Sequence, residues 1–134
     1  VPVRGALVEA ADECLVLATI HDYVFDAPRR FDVPLPVAQL AVQVAGKDRR
    51  IDLGYASQRL ALEAKGFDVY RMRKKFDEFT VRGNELKLAG WRVLEFTSAF
   101  TDWTIAAQVA EALGCPIPAR PLRALTFAEW KRLR

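Results

Sequence analysis

The chain has 134 residues, 51% of them apolar and 28% charged, with a net charge of +3. That is the size and profile of one globular domain; it excludes a disordered chain and a small scaffold held together by disulfides or a structural metal. No apolar run approaches the roughly 18 residues needed to cross a bilayer, and nothing at the N-terminus reads as a signal peptide, so no membrane partner and a cytoplasmic location are expected.

Residues 5–22 carry Leu7, Ala10, Ala11, Cys14, Leu17 and Ala18 at helical spacing, although Cys14 to Ile20 would also suit a strand. Residues 26–36 hold Pro28, Pro34 and Pro36 and read as a loop or extended connection. Three short strand patterns follow. In 37–44, Ala38, Leu40, Val42 and Val44 share one face. After a turn over Ala45 to Asp48, Ile51, Leu53 and Tyr55 face opposite to Arg50, Asp52 and Gly54. After a second turn near Ala56-Ser57, Leu60, Leu62 and Ala64 alternate with Ala61, Glu63 and Lys65. This pattern predicts an antiparallel meander.

A connection over 66–72 leads to a helix over about 74–89, with Phe76, Phe79, Gly83 and Leu86 as its buried stripe and Gly90 as its C-cap. Residues 91–97 read as a strand and 101–113 as an amphipathic helix stopped by Gly114. Beyond Pro116, Pro118 and Pro121 a short helix is expected, with Thr126 and Glu129 at capping-box spacing. The helix between the third and fourth strands permits a parallel crossover. The expectation is one α/β domain over 1–114, a small mixed sheet flanked by helices, followed by a Pro-rich basic C-terminal extension over 115–134. Cys14 and Cys115 lie far apart and outside any metal-ligand spacing; a disulfide stays open, but free buried thiols fit a reducing compartment better.

The residues with chemical content are Asp52, Glu63 and Lys65. Glu63 and Lys65 stand two apart on one strand and leave the same face, while Ala64 points to the core. If the second and third strands pair, Asp52 lies near Glu63. Two converging carboxylates form a hard-oxygen site suited to Mg²⁺ or Mn²⁺, and a neighbouring ammonium can orient water or offset charge on a phosphorus centre. Those parts suit phosphodiester hydrolysis. An exposed Glu-x-Lys pair is also a common solvated ion pair. Two basic clusters accompany the site: Arg71, Arg73, Lys74 and Lys75 in one, and Arg120, Arg123, Lys131, Arg132 and Arg134 in the tail.

The order Asp52, Glu63-Ala64-Lys65, a basic loop, Arg82-x-Asn84-x-Leu86 and Gly90-Trp91-Arg92-Val93-Leu94-x-Phe96-Thr97 resembles the very-short-patch-repair-like endonucleases, a branch of the PD-(D/E)XK nuclease superfamily. The resemblance covers about residues 35–113. It implies a restriction-endonuclease-like fold and a metal-dependent DNA endonuclease, with Asp52, Glu63 and Lys65 as catalytic residues. Asp52, Glu63 and the Ala64 carbonyl would bind Mg²⁺ or Mn²⁺, and Lys65 would position the attacking water. An acid on the first helix often completes such sites; Glu9 and Glu13 are the candidates, with Glu13 preferred.

Arg82 and Asn84 match the family's helix motif and are expected to face substrate phosphates, although Asn84 also fits a structural role. Beside such a site, Arg71, Arg73, Lys74 and Lys75 read as phosphate contacts, and Tyr70 either stacks on a base or packs. Departures from the pattern are Tyr70, near where a histidine is often found, and Glu95, where relatives tend to be basic; Glu95 reads as a surface strand residue rather than a ligand. His21, the single histidine, reads as packed or exposed rather than as a catalytic base. DNA is the expected partner, with a homodimer or a further fused domain left open. The alternative reading is a catalytically inactive nuclease-fold module that binds DNA or regulates.

Overall fold

A computed structural model describes residues 20–65 and 69–133, with the backbone alone over 69–76. Helix α1, described over 20–30, precedes strands β1 (Val37–Val44), β2 (Lys47–Tyr55) and β3 (Leu60–Lys65). Helix α2 (Val69–Leu88), strand β4 (Arg92–Thr97) and helices α3 (Asp102–Leu113) and α4 (Phe127–Arg132) complete the chain. The strands form one mixed sheet in the order β1-β2-β3-β4, antiparallel except for the parallel β3–β4 pair that α2 connects. The mixed α/β class, the meander and the crossover all follow the sequence pattern.

Helices cover both faces. On one, Tyr23, Val24 and Ala27 of α1, Ile105, Ala106, Val109 and Ala110 of α3, and Phe127 and Trp130 of α4 bury Leu53, Leu60, Leu62 and Phe96. On the other, Leu86 of α2 meets Val44, Ile51 and Ala61. The α4 segment is tied to α1 at several points. The Tyr23 hydroxyl shares its one proton between the carbonyls of Phe100 at 2.6 Å and Leu125 at 3.0 Å, and Trp130 Nε1 donates to Asp26 Oδ2 at 3.0 Å. Caps act where the sequence places them: Gly90 and Gly114 adopt φ of 90° and 72°, and Thr126 and Glu129 form a reciprocal capping box. No helix among the described residues is long and apolar enough to cross a membrane.

Two boundaries differ from the sequence pattern. The first helix runs to residue 30 and holds Pro28 inside its last turn, so residues 26–30 are not loop. Pro28 is fully buried there, and its carbonyl accepts the Val33 N–H at 2.9 Å, closing the helix end. Helix α2 begins at Val69, which places the backbone of Tyr70 and Arg71 in its first turn rather than in a connection, ahead of Arg73, Lys74 and Lys75. Its expected buried stripe is only partly realised: Leu86 is buried, but Phe79 is 37% exposed. The N-terminal part of the first predicted helix, with Glu9, Glu13 and Cys14, lies outside the described residues; Cys115 is a half-buried free thiol.

Strand alternation also breaks once. Ile51 packs with Val44, Ala61 and Leu86 instead of with Leu53 and Tyr55. The β1–β2 ladder pairs Ala38 with Leu53 and Leu40 with Ile51, but skips Gln39 and Asp52, and Gln39 has φ of 54°. This interruption turns the strands about Asp52 and lets neighbouring apolar residues serve opposite faces. Gly54 belongs to the same adjustment, since a Cβ there would meet Leu40 Cδ2 at 2.6 Å.

The β1–β2 hairpin turns through two residues, Ala45 and Gly46, with φ of 53° and 73°. Positive φ at both positions is the mark of a primed hairpin turn, where Asn-Gly is favoured and an alanine is strained by about 1 kcal/mol. Ala45→Asn is therefore expected to raise the melting temperature by about 3 °C in thermal unfolding. No gain would mean that the turn relaxes in solution to a conformation without this strain.

Candidate active site

The β2–β3 ladder runs from Tyr55–Leu60 through Gly54–Ala61 to Leu53–Leu62 and stops there. Continued by one step, the register would set Asp52 opposite Glu63. The strands instead part, and side chains replace the ladder: Asp52 Oδ2 accepts the Ala64 N–H at 3.3 Å. In an antiparallel pair the N–H and C=O of one residue leave the same side of the strand, so the Ala64 carbonyl is also directed to the β2 side. The Asp52 and Glu63 side chains are only 20% and 13% exposed.

Two acids held this closely cannot both ionise cheaply. Burial, and then the adjacent Asp52 carboxyl, push the Glu63 carboxyl up to about 8, while the Arg82 guanidinium opposes the shift. Glu63 Oε1 is buried without a hydrogen-bond donor.

The surrounding groups come from three elements. From α1, His21 Nε2 lies 3.5 Å from Asp52 Oδ2. From α2, Arg82 Nη2 lies 3.3 Å from Glu63 Oε1 and donates to the Arg50 carbonyl. From β4, Glu95, which neighbours Glu63 in the parallel register, holds Lys65 Nζ at 2.9 Å. The ammonium also lies over the Phe79 ring, 5.1 Å from its centroid. Beside Asp52, a cleft of about 370 Å³ opens between α1 and the β1–β2 interruption, with His21, Phe25 and Gln39 in its walls.

Asp52, Glu63, Ala64 and Arg82 thus converge, and Lys65 stands on the same strand face but is engaged by Glu95. Asn84 is exposed on α2. Glu13 lies outside the described residues, as do the side chains of Tyr70, Arg71, Arg73, Lys74 and Lys75. His21 was missed as a site residue, and no spacing rule could have found it: its approach to Asp52 depends on how α1 docks on the sheet. Glu95 is half-exposed and pairs with Lys65 rather than closing on the two acids.

The donor set fits one kind of cation. Among the described residues no group of three or more His, Cys, Asp or Glu is arranged to hold a metal, so a closed protein cage is not formed. Mg²⁺ and Mn²⁺ are commonly held by one or two carboxylates with several retained waters. Asp52, Glu63 with its undonated Oε1, and the Ala64 carbonyl supply hard oxygens for that mode. Against known proteins, the chain matches no family model, no curated protein and no solved structure.

Proposed function

We propose that this chain is a metal-dependent endodeoxyribonuclease that hydrolyses phosphodiester bonds at Asp52, Glu63 and Lys65, a reading in keeping with its resemblance to the PD-(D/E)XK nucleases. The observation that carries it is the convergence of two little-exposed carboxyls where the β2–β3 ladder ends, one of them with an oxygen that no donor reaches. Two little-exposed acids side by side are costly to folding, and carboxyls perturbed in this way cluster at functional sites, which supports the reading.

When bound, Mg²⁺ or Mn²⁺ would supply a water of lowered pKa and offset charge on the phosphoryl oxygens. Asp52, Glu63 and the Ala64 carbonyl would hold the cation. Lys65, released from a half-exposed glutamate at small cost, orients the water whose oxygen bonds to phosphorus while the ester bond to the leaving sugar oxygen breaks. The cationic residues 71–75 in the first turns of α2 supply charge for backbone phosphates.

The Lys65–Glu95 contact at 2.9 Å favours one rival, a non-catalytic DNA-binding module in which the lysine is structural. Plasmid nicking with Mg²⁺ or Mn²⁺ separates the two. Cleavage by the wild type, reduced at least ~10²-fold in Asp52→Ala and Lys65→Ala, is expected. Salt-sensitive DNA binding without nicking would establish the rival, and undiminished nicking by both variants would place the chemistry elsewhere.

A further inference from the structure

We infer that Arg82 is the resident counter-ion of this site: it and a divalent cation exclude one another at Glu63, so that Arg82 sets the affinity for the cation. The inference deepens the reading of the site as cation-dependent and rests on it.

Arg82 reaches the site from α2 and is committed there on two sides. Its Nη2 hydrogen bond goes to the Arg50 carbonyl on β2, while the same nitrogen lies 3.3 Å from Glu63 Oε1 without forming a hydrogen bond to it. Its Nε is buried and has no acceptor. Each group is therefore served incompletely: the guanidinium supplies charge to Glu63 but no donated proton, and Oε1 keeps its lone pairs free. A hard cation would use those lone pairs fully. A guanidinium and a dication at the same carboxylate oxygen repel strongly at low solvent exposure.

The charges support exchange rather than coexistence. With Arg82 in place, a single positive charge stands 3.3 Å from Glu63 Oε1, beside two carboxyl groups. With a dication the two carboxylates are already balanced, and Arg82 becomes surplus. Arg82 would then leave Glu63, and its contact with the Arg50 carbonyl would be the one at risk. The other described tie of α2 to β2, Arg49 to Glu85 at 3.2 Å, does not involve the acids and would hold the helix while Arg82 moves.

The test is Mn²⁺ affinity, read by electron paramagnetic resonance of free Mn²⁺ and by calorimetry, in wild type, Arg82→Met and Arg82→Lys. Arg82→Met keeps an aliphatic stem and removes the charge; it is expected to bind Mn²⁺ roughly tenfold more tightly than wild type, with Arg82→Lys close to wild type. Circular dichroism checks folding, and Arg82→Gln takes the place of the methionine variant if that one does not fold. Equal or weaker Mn²⁺ binding by the neutral variants overturns the inference, and so does binding by none of the proteins. The underlying reading has its own fate. Tighter binding by Arg82→Met with no DNA cleavage by any protein would remove the nuclease reading and leave the counter-ion role. Cleavage by wild type with affinity unchanged in Arg82→Met would do the reverse.

Discussion

Glu63→Gln is expected to abolish Mg²⁺- or Mn²⁺-dependent DNA cleavage and, in the same protein, to raise stability at alkaline pH. The first effect follows from losing a carboxylate at the candidate cation site, a loss of about 10³-fold or more in rate. The second follows from linkage. With Glu63 pushed up to about 8 from an ordinary 4.5, the folded chain holds a proton that the unfolded chain releases. Stability therefore falls as pH rises from about 4.5 through about 8, and the full penalty is present above that. Glutamine removes the ionisation and keeps the shape, so chelator-treated protein should gain on the order of 2 kcal/mol at pH 8 and little at pH 4. The opposing charge of Arg82 is already contained in that net shift. Urea unfolding at the two pH values measures it. A variant destabilised equally at both would mean that the carboxyl is structural, and the argument from a costly acid pair would fail.

Asp102→Ala is expected to be the most damaging single change to folding, although Asp102 lies outside the candidate site. Among the described residues it is the one charged side chain in the buried set, 1% exposed, in the first turn of α3 after the Thr101 cap. Its Oδ1 accepts the Leu125 N–H at 3.0 Å, its own N–H donates to the Leu125 carbonyl at 2.9 Å, and its Oδ2 lies 3.5 Å from Arg30 Nε. One side chain thus joins α1, α3 and the segment leading into α4. Alanine leaves a part-buried Leu125 N–H without its acceptor and removes a negative charge from a helix N-terminus. Arg30 is half-exposed, so its share is discounted for solvent. The expected loss is about 3 kcal/mol, or roughly 10 °C in melting temperature. Asp102→Asn, which keeps the Oδ1 acceptor, should lose less than half of that. If alanine costs under about 2 °C, Phe127 and Trp130 alone hold the terminal segment in place.

Side-chain periodicity alone placed most of the strands and the crossover. The alternation over 60–65 that sends Leu60, Leu62 and Ala64 into the core and Glu63 and Lys65 out of it needs no information beyond six consecutive residues, and the structure follows it. The caps at Gly90, Gly114 and Thr126 were equally legible, because a cap is a local contest between one residue and the last turn of backbone. Asp52 and Glu63 were legible as partners for a similar reason: a short turn between two alternating strands leaves few registers.

Legibility ended where distant segments meet. Pro28 reads as a helix breaker, and in the last turn of α1 it does forgo one N–H-to-carbonyl bond; its complete burial against the core offsets that cost. The skipped Gln39–Asp52 pair has no signature in composition, since it arises from fitting two faces of one sheet to different helices. The same holds for the details of the site. That Asp52 meets His21, that Lys65 is held by Glu95, and that Arg82 stands at Glu63 are consequences of helix docking and strand order. Sequence by itself determined which strand face Asp52, Glu63 and Lys65 leave and where the helices are capped, because both are properties of neighbouring residues. Tertiary structure alone decided their partners, their burial and the raised carboxyl at Glu63, because those depend on which charges the folded chain brings within a few ångströms.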